Sequence, residues 1–193
     1  MTACDLGAGL GSQHQDELYD AIEELGAPSL RRLSFVEDAR AVRLLPRLPQ
    51  LEELWMACKS LENVRAFEET AQEAGGWTRF LCALRSFSLG FDDRTDLAVA
   101  QLAAISHPNA LAGVQKLSMS LLRSQAICQR LGETLAAGAF AGLHRLDLGD
   151  LIDTGFEALV GKMVTAPCSR TLQEIALRND MEDGDGLKAG AGL

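Results

Sequence analysis

Three histidines, five cysteines and several acidic turns are the side chains of this chain whose types can do chemistry. A Ser-His-Asp centre needs its base within hydrogen-bond reach of the nucleophile. His14, His107 and His144 lie far apart and fall at different points of the chain's internal period. A structural zinc site needs closely spaced Cys and His pairs. Cys4, Cys58, Cys82, Cys128 and Cys168 are widely spaced and contain no CxxC. Asp92, Asp93 and Asp96 form an acidic turn without the ligand spacing of a calcium loop. The glycine-rich GAGLG at 7–11 is not followed by the Lys-Ser/Thr of a phosphate-binding loop. The expectation is no catalytic centre, no cofactor and no metal, hence no enzyme.

The elements carrying these residues follow one repeated pattern. Leu143-x-x-Leu146-x-Leu148 returns as Leu172-x-x-Ile175-x-Leu177, Val114-x-x-Leu117-x-Met119 and Leu84-x-x-Phe87-x-Leu89. It returns again as Leu51-x-x-Leu54-x-Met56 and Leu30-x-x-Leu33-x-Phe35, with a degraded copy at Met1-x-x-Cys4-x-Leu6. The steps between starts are 29, 21, 33, 30, 29 and 29 residues. A near-fixed period of this size marks a repeat protein.

Each hexad predicts a short strand. Helical spacing follows it at 16–25, 39–45, 61–73, 96–105 and after Ser124, where Ile127, Leu131 and Leu135 share one face. Phe156, Leu159, Val160 and Met163 form the stripe of a further helix. Pro46, Pro49 and Pro167 end helices, because proline cannot continue a helix interior. Strands this short are unstable alone. Stacked in parallel, they bury the leucine columns beneath the helices, and neighbours supply each other's core.

The 193 residues are enough for one domain with a real core. A net charge of −9 argues against a nucleic-acid partner, whose phosphates need a basic footprint, and against an anionic membrane surface. No apolar run approaches a membrane span. An odd set of scattered cysteines suits reduced thiols, which places the expectation in the cytoplasm or the nucleus.

These repeated hexads resemble the leucine-rich repeat family over nearly the whole chain. The units of about 29 residues are similar to its ribonuclease-inhibitor-like subclass, and the short LPRLPQLEEL unit to a shorter-repeat subclass. The resemblance implies an α/β solenoid of six to seven repeats, a curved horseshoe segment with a parallel concave sheet and convex helices, as a single domain over 1–193. Two departures stand out. The column that usually holds Asn reads Gly9, Asp38, Lys59, Asp92, Leu122, Leu151 and Asp180, and neither end shows a cap. The expectation is a segment cut from a longer array at one or both ends.

The resemblance implies that the concave face binds a protein ligand. Strand alternation puts Ser34, Trp55, Ser88, Ser118, Asp147 and Ala176 in one outward column, and Arg32, Glu53, Ser86, Lys116, Arg145 and Glu174 in the one before it. Trp55 is either an interface anchor, with Phe91 beside it, or a ring packed against the short irregular unit. Arg32, Lys116 and Arg145 either meet an acidic partner or, interrupted by Glu53 and Glu174, make a solvated mixed face. Trp77, in the insertion at 75–80, reads as a plug over the core edge. Three functions compete. The first is a non-catalytic interaction module. The second is a regulatory or adaptor segment of the GTPase-activating, ubiquitin-ligase or immune-sensor type. The third is a truncated array with no role of its own.

Overall fold

The leucine pattern dictates which side chains turn inward, and the computed structural model shows where they go. It describes residues 3–5, 12–25, 28–36, 39–57, 60–77, 79–91, 94–120, 122–150 and 153–178. Seven strands, β1 (Ala3–Asp5), β2 (Arg32–Val36), β3 (Glu53–Ala57), β4 (Ser86–Gly90), β5 (Lys116–Met119), β6 (Arg145–Gly149) and β7 (Glu174–Arg178), form one parallel sheet in chain order. Between them run α1 (Ser12–Leu25), α2 (Ala39–Leu44), α3 (Leu61–Glu73), α4 (Thr95–Ala104), α5 (Gln125–Ala136) and α6 (Asp153–Met163). The chain is therefore α/β with a single parallel sheet. No helix among the described residues is long and apolar enough to cross a membrane.

The register matches the hexad alignment column by column. Ser34 faces Trp55, Trp55 faces Ser88, Ser88 faces Ser118, Ser118 faces Asp147, and Asp147 faces Ala176. Each strand begins two residues after the leading apolar residue of its hexad, for a backbone reason. The leading amide closes a turn: Leu51, Leu84 and Val114 donate to the carbonyls of Leu48, Leu81 and Leu111. The next two amides then converge on one carbonyl of the preceding unit. Glu52 and Glu53 share Arg31 O, Arg85 and Ser86 share Glu52 O, and Gln115 and Lys116 share Arg85 O. His144 and Arg145 share Gln115 O, and Gln173 and Glu174 share His144 O. This repeated fork pins each of the five units from β3 to β7 to the one before it.

One face of the sheet is covered by helices. Leu33, Phe35, Leu54, Met56, Phe87, Leu89, Leu117, Met119, Leu146 and Leu148 are buried there with Val64, Phe67, Leu102, Ile127, Leu131, Leu135 and Leu159. The helix starts differ from the sequence reading in detail. α1 begins at Ser12, four residues early, since the polar run Ser12-Gln-His-Gln contains no breaker. α2 gives way to a 3-10 turn, Leu45–Arg47, at Pro46. Ser60 caps α3 by accepting from Asn63 N at 3.3 Å. Ser124 occupies the cap position of α5 without a side-chain bond to the helix.

The insertion fills the core edge. Gly75 and Gly76 take positive φ, a conformation L side chains rarely adopt, and turn the chain back. Trp77 and Phe80 then meet the Phe67 ring edge-on at 5.5 and 5.3 Å, and Trp77 stacks on His107 at 5.8 Å. Trp77 is buried, as a plug should be. Further along, Gly142 lies against the preceding unit, where a Cβ would stand 2.4 Å from Ala112 O. One unit on, the equivalent Thr171 hydroxyl donates to Leu143 O at 2.8 Å, with Ala141 O 3.2 Å away. In the usual asparagine column, Leu122 is a buried core residue, and the other six positions lie outside the described residues.

Candidate functional site

The face of the sheet away from the helices carries the remaining strand side chains. Small residues dominate it: Ser34, Ser88, Ser118, Ala176, Ala57 and Gly90. Trp55 stands among them and is 38% exposed. Its indole leans from β3 over β4, so that a Cβ on Gly90 would meet Cζ2 at 3.3 Å. Gly90 is buried beneath it. The edge of the indole is held while the rest of the ring stays accessible.

Phe91 does not join Trp55. It is 5% exposed and packs in the core. The alternation of β4 continues one residue past the strand, so Phe87, Leu89 and Phe91 all turn inward. The expectation of an exposed aromatic pair is corrected to a single exposed ring.

Asp147 is the second correction, because it is 1% exposed and does not present its carboxylate to solvent. Three cations from three strands close over it. Arg145 Nε donates to Oδ1 at 2.7 Å, Lys116 Nζ lies 3.3 Å from Oδ2, and Arg178 Nη2 lies 3.4 Å from Oδ2. Burial alone would raise its pKa, but hydrogen bonds from Arg145 and Lys116 prevail and hold the carboxyl below its ordinary range. Arg145 also reaches Glu174 Oε2 at 2.9 Å. The cluster thus has three positive and two negative groups, a small cationic excess on an acidic chain. Lys116, Arg145 and Arg178 remain substantially exposed.

At the other end of the face, Arg32 Nε pairs with Glu53 Oε1 at 3.1 Å across β2 and β3. The structure therefore gathers Lys116, Arg145 and Asp147 into one network, leaves Trp55 apart from it, and pairs Arg32 with Glu53 separately. Sequence reasoning missed Arg178 as a member. It stands in the outward column at the strand end, with Ala57 and Gly90, and its long side chain reaches back to Asp147.

Elsewhere, burial pushes the Cys128 and Cys168 thiols up from their ordinary value, so both stay protonated at neutral pH. His107 is engaged by Trp77, and His144 Nδ1 donates to Gly142 O at 2.8 Å. Among the described residues no three His, Cys, Asp or Glu side chains gather in a group able to hold a metal. No family model and no curated protein sequence matches this chain.

Proposed function

We infer that this chain is a non-catalytic protein-binding module of leucine-rich repeat type, a solenoid segment of six to seven units that receives a protein ligand on the open face of its sheet. One observation carries the reading. A tryptophan is exposed on a face otherwise lined by serine, alanine and glycine, and its ring edge is fixed over Gly90. Such a preordered aromatic loses little entropy on docking and anchors an interface. The cation cluster on β5 to β7 gives the ligand a second contact. It is three strands from Trp55, about 14 Å at ordinary strand spacing. A ligand with an apolar pocket or side-chain cluster and an acidic group at that separation fits both.

Affinity capture with cross-linking, comparing wild type, Trp55→Ala and a helix-face control such as Gln72→Ala, tests this reading. A protein partner lost only with Trp55→Ala, with circular dichroism unchanged, supports it. A partner retained equally by all three moves binding off the open face.

A further inference from the structure

Six large apolar side chains are exposed among the described residues, and four of them fall in its last two units: Phe156 and Val164 after β6, and Ile175 and Leu177 on β7. The cause is positional. Ile175 and Leu177 are in register with Leu146 and Leu148, which are fully buried. In the last unit the same two columns are 41% and 58% exposed. Phe156, on α6, and Val164, just past its end, are exposed as well. The outer edge of β7 has no strand beside it among the described residues. An edge of this kind is a template for another strand.

The sequence of β7 is its own complement. We propose that β7 pairs antiparallel with β7 of a second copy of this chain, about a two-fold axis through Ala176. In that register Glu174 stands opposite Arg178 of the second copy, and Arg178 opposite its Glu174. On the other face Ile175 stands opposite Leu177, while the small Ala176, on the face of Glu174 and Arg178, meets itself on the axis. Opposite charges directly across an antiparallel pair stabilise it, and like charges destabilise it. The opposite register error, one residue either way, would set apolar against charged faces. Because the axis runs perpendicular to the sheet, both sets of helices fall on the same side. Glu174 meets Arg145 through Oε2, and Arg178 meets Asp147 through Nη2, so each engages its own network through one terminal atom. The interface is isologous and closes at two copies.

Sedimentation velocity and light scattering on the full chain, across about 1 to 300 µM, the range in which weak self-association is read, test the pairing. The wild type is expected to pass from monomer to dimer. Glu174→Arg sets Arg against Arg, and Arg178→Glu sets Glu against Glu, so each alone is expected to dimerise at least about ten-fold more weakly. An equimolar mixture of the two single variants restores both opposite-charge pairs and is expected to form a heterodimer. Leu177→Lys, at an exposed position, abolishes the dimer without loss of folding by circular dichroism. Four results overturn the proposal: a monomeric wild type, a dimer indifferent to both charge reversals, single variants that stay apart on mixing, or growth beyond two copies. A monomer whose β7 amides are protected from hydrogen exchange assigns the edge to residues 179–193 of the same chain instead.

Discussion

The indole of Trp55 rests on Gly90 of the neighbouring strand, close enough that an added Cβ would stand 3.3 Å from Cζ2 and 3.2 Å from the Cβ of Ala57. Glycine at this position sets the pose of the exposed ring. Gly90→Val is expected to lift the indole toward solvent and to cost about 1–3 kcal/mol through crowding. In a Trp77→Phe background, where Trp55 is the one remaining tryptophan, the change reads as a red shift of emission and easier quenching by acrylamide.

The two tryptophans predict opposite responses to truncation. Trp77 is locked between Phe67, Phe80 and His107, so Trp77→Ala removes a buried ring and is expected to cost about 3–5 kcal/mol. Trp55→Ala, on the open face, is expected to cost under about 1 kcal/mol while removing the proposed anchor. Urea unfolding of both variants checks the contrast. Equal losses would place Trp55 in the core.

Asp147 predicts a pH dependence with a definite sign. Its carboxyl is held below the ordinary range in the folded chain. The stability it contributes is therefore present above its unfolded value, about 3.9, and is lost as pH falls through the lower folded value. Asp147→Asn is expected to cost about 1–3 kcal/mol at neutral pH, because three converging cations lose their charge partner. Chemical denaturation from pH 7 down to about pH 3 should show wild type and variant converging on the acidic side. A constant difference across that range would mean that the carboxylate charge is not what is lost.

Gly142 predicts the strictest small-residue requirement. Its missing Cβ would stand 2.4 Å from Ala112 O, which is backbone and cannot rotate away. Gly142→Ala is expected to destabilise by about 2–3 kcal/mol through a forced shift between adjacent units. Gly161→Ala serves as a control, since nothing lies within 4 Å of its Cβ position and the change replaces glycine inside a helix with a better helix former. Thermal unfolding that ranks Gly142→Ala with Gly161→Ala would contradict the close approach.

The register was legible in the sequence because the apolar columns leave one alignment of the hexads, and all six strand pairings follow it. The inward alternation was legible too, and Phe91 shows it being stopped one residue short. Followed past Leu89, the period of two takes Phe91 into the core. Asp147 was not readable from alternation alone. Its column faces outward, and it is buried by long cationic side chains from both neighbouring strands and its own. Burial of that kind depends on rotamers rather than on period. The forked hydrogen bonds at each strand entry were also invisible, since they involve only backbone atoms and fall on Arg31, Glu52, Arg85, Gln115 and His144 alike.

That fork has a consequence for how the chain is made. Each carbonyl in the series belongs to residues synthesised before the amides it receives. A unit leaving the ribosome therefore finds its acceptor already synthesised, and its pairing does not wait for later sequence. Each newly docked strand must meanwhile tolerate an uncovered apolar pair until its successor arrives. With 21 to 33 residues per unit and roughly 5–20 residues added each second, that interval is about 1–7 s. Among the described residues, the exposed Ile175 and Leu177 of β7 show what such an uncovered pair looks like.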